Sequence, residues 1–246
     1  MALAAICVAL LASFPVAVEA KKKRARGIDV SRFQGTIDWP RVATSGIRFA
    51  FVQASRGNGF DCAVASEHCG PDPYFEFNRA GARANLVRVG AYHRAFASGR
   101  TLAEARADAT LEADLFIAQV GRLNRGELVP VLDVETPFVG LNPKRLTAWI
   151  RRWVKRVRKR LGRKPMIYTN ASSWARTKHT REFARARYPL WVAHWKVRKP
   201  RVPARNWAGR GWAVWQWTSS GKVPGISGRV DLNRLRVGLR KLTIRR

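Results

Sequence analysis

The chain is poor in acidic residues and in cysteine. Of its 246 residues, 16 are Asp or Glu, 47 are Lys or Arg and three are Cys. Three cysteines are too few for a disulfide-rich scaffold, and the spacing of Cys62, His68 and Cys69 matches no common zinc site. We therefore expect neither a metal nor another cofactor.

Long apolar runs are missing after residue 20, so no transmembrane helix is predicted there. One shorter run extends from Leu3 to Phe14, and small residues precede a cleavage position after Ala20. We expect residues 1–20 to be a signal peptide, with an uncleaved anchor as the alternative. Residues 21–246 then form one domain without stable membrane insertion, secreted or retained in the periplasm or cell envelope.

Export decides how we interpret the cysteines. Cys7 leaves with the signal peptide, and Cys62 and Cys69 remain in a loop rich in Gly, Pro and Asp. In an oxidising compartment this pair predicts a disulfide bond.

The formal net charge of +31 predicts a polyanionic partner, although an Arg-rich composition by itself also raises this number. For an exported protein, bacterial peptidoglycan and the anionic polymers of the wall are the expected partners. Common DNA- and RNA-binding motifs are missing, so we do not expect nucleic acid as a partner. We expect a monomer.

Eight short apolar segments have the length of strands. They are Gly27 to Ser31, Ile47 to Ala54, Val87 to His93, Leu128 to Glu135, Pro165 to Thr169, Leu190 to Trp195, Trp212 to Thr218 and Arg229 to Leu232. Helical stretches separate the first six, whereas Pro/Gly-rich loops join the last three. This order predicts an α/β fold, an irregular TIM-like barrel of the form (β/α)5β3.

Two of the helices have clear ends. Thr101 and Glu104 form a possible capping box before a helix that stops at Gly121. A second helix begins at Asn142-Pro143 and ends at Gly162, with an apolar face and a face of Lys and Arg. We interpret that basic face as the solvated side of a barrel helix, with a DNA-binding helix as the alternative.

Acidic side chains follow or end several predicted strands. Asp133 and Glu135 close the apolar segment from Leu128, and because strand side chains alternate they point the same way. Asp29 lies on the first strand and Asp231 on the last, which are neighbours in a closed barrel. Paired carboxylates of this kind keep one member protonated, as in the acidic cleft of a glycosidase.

An ordered set of motifs resembles the glycoside hydrolase family 25 lysozymes, or muramidases, through nearly the whole mature chain. The fragments are Gly27-Ile-Asp-Val-Ser-Arg-Phe-Gln34, Ile37-Asp-Trp39, Asp72-Pro-Tyr-Phe75 with Asn78, Gly90-Ala-Tyr-His93, Leu132-Asp-Val-Glu135, Ile167-Tyr-Thr169, Leu190-Trp-Val-Ala-His-Trp195, Val214-Trp-Gln-Trp217 and Gly228-Arg-Val-Asp-Leu-Asn233.

The resemblance implies a peptidoglycan hydrolase that cleaves the β-1,4 bond between N-acetylmuramic acid and N-acetylglucosamine. It implies that Glu135 is the general acid and that Asp133 is the nucleophile or stabilises the cationic intermediate. Asp29 and Asp231 then complete the catalytic cleft. Retention of configuration is the family expectation, and assistance by the substrate's N-acetyl group stays open.

Aromatic and amide side chains at strand ends are candidates for sugar binding, with core packing as the alternative. They are Tyr92, Tyr168, Trp195 and Gln216. His93 and His194 either orient a carboxylate or are satisfied within the barrel.

One segment departs from the family pattern. After the second strand the family has a Lys-Ala-Thr/Ser-Glu-Gly type segment, whereas this chain has Gln53-Ala-Ser-Arg-Gly57, so Arg56 replaces an acidic residue. This reversal leaves open a non-catalytic, wall-binding protein on the same barrel.

Overall fold

A computed structural model describes residues 24–59 and 68–245. The strands are β1 (Arg26–Val30), β2 (Ile47–Arg56), β3 (Gly70–Pro71), β4 (Arg88–Arg94), β5 (Val131–Asp133), β6 (Met166–Asn170), β7 (Leu190–Ala193), β8 (Val214–Gly221) and β9 (Val230–Leu235). The helices are α1 (Trp39–Thr44), α2 (Phe75–Ala84), α3 (Leu102–Val120), α4 (Pro143–Leu161), α5 (Ala171–Ala175), α6 (Glu182–Arg185) and α7 (Pro203–Ala208).

Eight of these strands close into a barrel. The sheet order is β1-β9-β8-β7-β6-β5-β4-β2-β3, and a further pairing of β1 with β2 closes the ring. Neighbouring strands are parallel around the barrel except at β9, which runs antiparallel to both β1 and β8. The predicted α/β, TIM-like barrel is therefore confirmed, and its first and last strands are neighbours.

Three details differ from the sequence-based expectation. A two-residue strand, β3, pairs antiparallel with the end of β2, outside the barrel. A short helical segment, α7, occupies the connection between β7 and β8, where a loop is predicted. The fourth barrel strand, β5, ends at Asp133, so Glu135 lies in the segment after the strand and not within it.

The ends of the two long helices follow the predicted capping chemistry. Thr101 and Glu104 form the capping box of α3, which stops at Gly121. Asn142 accepts a hydrogen bond from the backbone N–H of Arg145 at the start of α4, and Gly162 ends that helix in a left-handed conformation.

Two apolar clusters fill the molecule. The larger lies between the strands and the helices and includes Trp149, Trp153 and Phe116, which are fully buried. The smaller contains Phe51, Trp191 and other inward-facing side chains of the barrel strands. Such packing fixes the strand ends rigidly, which is what a site built from several strands requires.

Several expectations concern residues that the structure does not describe. The proposed signal peptide, residues 1–20, lies outside the described residues, as does Cys62 of the predicted disulfide. Within residues 24–59 and 68–245, no helix is long and apolar enough to cross a membrane.

Candidate active site

The four carboxylates singled out in the sequence meet in one cleft at the end of the barrel where the parallel strands finish. The cleft has a volume of about 420 Å³, and its lining includes Asp29, Asp133, Glu135 and Asp231. We call this the carboxylate cleft. Asp29 and Asp231 lie directly opposite each other in the pairing of β1 with β9.

Asp29 is the most extensively hydrogen-bonded of the four. The amide nitrogen of Gln216 donates to both carboxylate oxygens at 3.1 Å, and Asn233 donates to Oδ2 at 2.6 Å. Burial raises the pKa of Asp29 to about 6, although the hydrogen bonds from Asn233 and Gln216 act in the opposite direction and lower it. These donors stabilise Asp29 as a carboxylate near neutral pH.

Asp231, which faces Asp29 across the strand pair, is protonated near neutral pH. Burial, and next the negative charge of Asp29, raise the pKa of Asp231 to about 9. A hydrogen bond joins the two carboxyl groups. The pair therefore contains one proton at neutral pH, on Asp231.

Asp133 and Glu135 form the second pair, bridged by Arg94. The Nε atom of Arg94 lies 3.2 Å from Oε1 of Glu135 and 3.8 Å from Oδ2 of Asp133. Burial, and next the charge of Glu135, raise the pKa of Asp133 well above its usual range. With one proton between them, the two carboxyl groups and the Arg94 guanidinium are electrically neutral together.

Arg94 also ties the strand end to the segment that bears Glu135. Its Nη1 donates to the backbone carbonyls of Ala95 and Glu135, at 2.7 and 3.1 Å, and its Nη2 donates to that of Thr136 at 3.0 Å. On the other side of this segment, the N–H of Thr136 donates to the Ser173 hydroxyl at 3.2 Å. Glu135 does not belong to a strand, but hydrogen bonds on both sides of its loop fix its position.

Glu135 lies where two pockets meet. The carboxylate cleft and a second pocket of about 350 Å³ both include Glu135 and Tyr168 in their linings. Trp195, which is 46% exposed, and His194 belong to the second pocket. An extended ligand that fills both pockets passes directly over Glu135.

The four side chains predicted to bind sugar all reach this region. Gln216 is the centre of a small network, since the hydroxyl of Tyr168 and the indole N–H of Trp195 both donate to its Oε1 at 3.0 Å. Tyr92 donates to Gln53 at 3.2 Å in the floor of the cleft. Trp195 presents an open aromatic face, whereas Tyr168 and Gln216 are buried and fix Asp29 and Trp195.

The two histidines have different surroundings. His93 faces away from the cleft and is fully buried, 2.6 Å from Glu112 through Nε2 and 2.8 Å from the Ser55 hydroxyl through Nδ1. Burial lowers the pKa of His93 to about 3, so the ring is neutral. His194 accepts a hydrogen bond from the backbone N–H of Arg201 at 2.8 Å. Of the two alternatives for His93, the structure shows a ring satisfied in the interior, since its carboxylate partner is the buried Glu112 and not a member of the cleft.

Two buried polar atoms of the cleft lining have no hydrogen-bond partner among the described residues. They are Oδ1 of Asp133 and Nε2 of Gln53. Buried polar groups are nearly always bonded, and exceptions mark catalytic or strained positions. Groups of three or more side chains able to hold a metal ion are not found within the described residues.

Comparison with known proteins identifies the family to which this cleft belongs. The family model of the glycosyl hydrolases family 25 matches residues 28–226, a span that includes Asp29, Asp133 and Glu135 and ends before Asp231. The chain belongs to glycosyl hydrolase family 25.

Relatives of this family resemble the chain over most of its length. Lysozyme M1 of Streptomyces globisporus is 33% identical over 217 residues, which cover 85% of this chain and 67% of that protein. An N,O-diacetylmuramidase of Arthroderma benhamiae is 28% identical and covers 84% of this chain and 83% of its own. The bacterial lysozyme of Streptomyces coelicolor superposes with a TM-score of 0.76 at 32% identity, covering 90% of this chain and 96% of that one.

Sequence reasoning missed several side chains of the family 25 cleft. Arg94 alternates with Tyr92 along β4 and therefore shares its inward face, which is the sequence signal that places it in the cleft. Asn233 stands in the same relation to Asp231 on β9. Phe33 is exposed at the cleft rim and follows the first strand within the motif from Gly27 to Gln34.

Arg56, which stands where the family pattern has an acidic residue, is part of the lining of this cleft. Its guanidinium is 5.0 Å from the centre of the Phe96 ring, and that of Arg94 is 5.1 Å from the same ring. The positive charge of Arg56 lowers the pKa of Asp133, against the larger effect of burial. Arg56 thus adds a second cation to the cleft without displacing any of the four carboxylates.

Proposed function

We propose that the chain is a muramidase that hydrolyses the β-1,4 bond between N-acetylmuramic acid and N-acetylglucosamine in peptidoglycan. The observation that carries this proposal is the position of Glu135, at the junction of two pockets and beside three further carboxylates. Glycosidases need an acid over the scissile oxygen and a second carboxyl group close by. The names of the family 25 relatives support the same substrate.

In this proposal the glycan lies across both pockets and Glu135 protonates the leaving oxygen. Asp133 then stabilises the positive charge at the anomeric carbon, either as a nucleophile or beside a substrate-assisted intermediate. This step requires a proton on Glu135, and burial, which raises the pKa of Asp133, helps to retain a proton within the pair.

Asp29 and Asp231 complete the catalytic cleft in this scheme. Their shared proton leaves one negative charge opposite the Asp133 and Glu135 pair, and this charge stabilises an oxocarbenium-like transition state. Trp195 supplies an exposed aromatic face for a sugar ring in the second pocket.

The remaining predictions concern the whole protein. We propose that residues 1–20 direct export, that residues 21–246 form a single catalytic domain and that Cys62 pairs with Cys69. We propose further that the enzyme acts as a monomer on walls outside the cytoplasm.

Mass analysis of fragments released from defined peptidoglycan tests the proposed reaction. We expect new reducing ends on N-acetylmuramic acid. Release of peptides from intact glycan strands, or reducing ends on N-acetylglucosamine, would contradict the proposal.

A further inference from the structure

A second concave surface lies at the opposite end of the barrel, where the parallel strands begin. One cleft of about 350 Å³ is lined by Arg88, Arg125, Arg240 and Arg245. An adjoining cleft of about 420 Å³ is lined by Arg122, Arg160 and Arg163, and the two clefts share Ile244. We call these seven arginines the lower arginine surface. Neither cleft has a carboxylate among its described lining residues.

The chain terminus builds this surface together with the loop before β5. The N–H of Gly126 donates to the carbonyl of Ile244 at 2.9 Å, and the N–H of Ile244 donates to that of Glu127 at 2.7 Å. A bridge between Leu128 and Thr243 continues the pairing. These bonds place Arg240 and Arg245 beside Arg88 and Arg125, although more than 100 residues separate them in sequence.

Glu127, which follows Arg125 and Gly126 in the sequence, is engaged by groups outside the two clefts. Glu127 is 4% exposed and receives Arg79 through two hydrogen bonds, at 2.9 and 3.0 Å. The backbone N–H of Asn124 also donates to it, at 2.8 Å. Its charge is therefore directed inward, toward α2, while the side chains of Arg125, Arg240 and Arg245 are exposed.

The chemistry of the lining selects the kind of anion. All seven cations are arginines, whose planar guanidinium matches the two oxygens of a phosphate better than an ammonium does. The two clefts adjoin at Ile244, and this extended arrangement suits a chain of regularly spaced charges. Their described lining contains no aromatic side chain, so the base-stacking contacts typical of single-stranded nucleic acid binding are missing here.

We propose that the lower arginine surface is a binding site for a phosphodiester polymer without aromatic bases, of the poly(glycerol phosphate) type. This site goes beyond the proposed hydrolysis and is separate from it. Arg88 begins β4 and Arg94 ends it, so the two ends of the barrel are about 20 Å apart at 3.3 Å per residue. Binding there raises the local concentration of enzyme on the wall and leaves the carboxylate cleft free for glycan.

Two triple variants with the same charge change test this site. The first is Arg125→Gln, Arg240→Gln and Arg245→Gln, which retains Arg88 because its Nη1 donates to the Gly126 carbonyl at 3.2 Å. The matched control is Lys144→Gln, Lys155→Gln and Lys159→Gln on the exposed face of α4. Rates on a short soluble glycan should be the same in both variants and the unaltered protein, which shows that both fold.

Affinity for a glycerol phosphate oligomer is then measured by fluorescence anisotropy over a range of salt concentrations. The loss of three exposed charge contacts predicts a loss of affinity of about tenfold or more in the arginine variant. The slope of log affinity against log salt should also fall by about 2, at ~0.7 per phosphate contact. The lysine control should lose less than about twofold, with its slope unchanged.

Competitors identify the ligand. Inorganic phosphate at the same phosphate concentration should not displace the oligomer, and phosphatidylglycerol vesicles should bind no better to the unaltered protein than to the arginine variant. Equal losses in the two triple variants would overturn the site, because they would assign binding to overall charge. Three results would overturn the choice of polymer. They are displacement of the oligomer by inorganic phosphate, vesicle binding that is weaker in the arginine variant, and tighter binding of a DNA oligonucleotide of equal charge.

Discussion

The two ends of the barrel differ in the sign of their charge and in how that charge is held. At the carboxylate cleft, Asp29, Asp133 and Asp231 are withdrawn from water, and burial raises the pKa of each. At the lower arginine surface the cations are mostly exposed and line open clefts. Buried charge is suited to chemistry, since its protonation depends on its neighbours, whereas exposed charge is suited to adhesion that salt can screen.

This separation predicts that turnover and wall binding respond to different substitutions. The largest effect should come from Glu135→Gln, which keeps the side-chain shape but carries no proton for the leaving oxygen. General acid catalysis typically contributes 10²- to 10⁴-fold, so kcat on peptidoglycan should fall by about that factor. Wall binding, measured by sedimentation with insoluble walls, should persist. A variant with nearly normal kcat would remove Glu135 from the role of acid.

A smaller loss should follow from changing Arg94, which positions Glu135 through its Nε and through three backbone carbonyls. Arg94→Met removes these donors, and a lost hydrogen bond to a charged group, at ~1.5 kcal/mol, predicts a fall in kcat of about tenfold. Arg94→Lys keeps the positive charge but not the planar set of N–H donors, and it should recover part of the lost kcat. An increase in KM with unchanged kcat would show instead that Arg94 binds substrate.

The smallest effect concerns stability and not rate. The pKa of Asp231 is about 9 in the folded chain and ~3.9 in an unfolded one, so between these values the folded chain retains a proton that the unfolded chain has released. Stability should therefore decline as pH rises from about 4 to about 9. Asp231→Asn removes the titrating group and should flatten this decline.

Thermal unfolding at pH 4 and pH 8 measures that difference. We expect Asp231→Asn to raise Tm at pH 8 by more than at pH 4, at the expense of turnover. Asp38→Asn, at the exposed cap of α1, serves as the control because asparagine also caps helices. Parallel changes in both variants would mean that Asp231 is not held protonated by the fold.

Much of the cleft was predictable because strand patterns encode side-chain direction. Asp29 and Asp231 were placed together from their positions on the first and last strands, and the structure pairs them directly. The apolar run from Leu128 places Asp133 near the end of the fourth predicted strand, which is β5 in the structure. Period-two alternation and barrel closure suffice for such positions.

Other features depend on contacts that no local pattern encodes. The bridge from Arg94 to Glu135 requires the loop after β5 to turn its carbonyls toward β4. The burial of His93 against Glu112 depends on which face of α3 packs on the sheet. The lower arginine surface requires the backbone pairing of Leu128 with Thr243, in which side-chain type has no part.

The division of roles between Asp133 and Glu135 is the central claim, because burial raises the pKa of Asp133 while the proposed reaction needs the proton on Glu135. An aryl glycoside with a good leaving group requires little protonation and separates the two roles. With Glu135→Gln and Asp133→Asn assayed side by side, we predict that this substrate partly restores kcat in Glu135→Gln and leaves Asp133→Asn inactive. Restoration of Asp133→Asn alone would contradict the claim and assign the acid to Asp133.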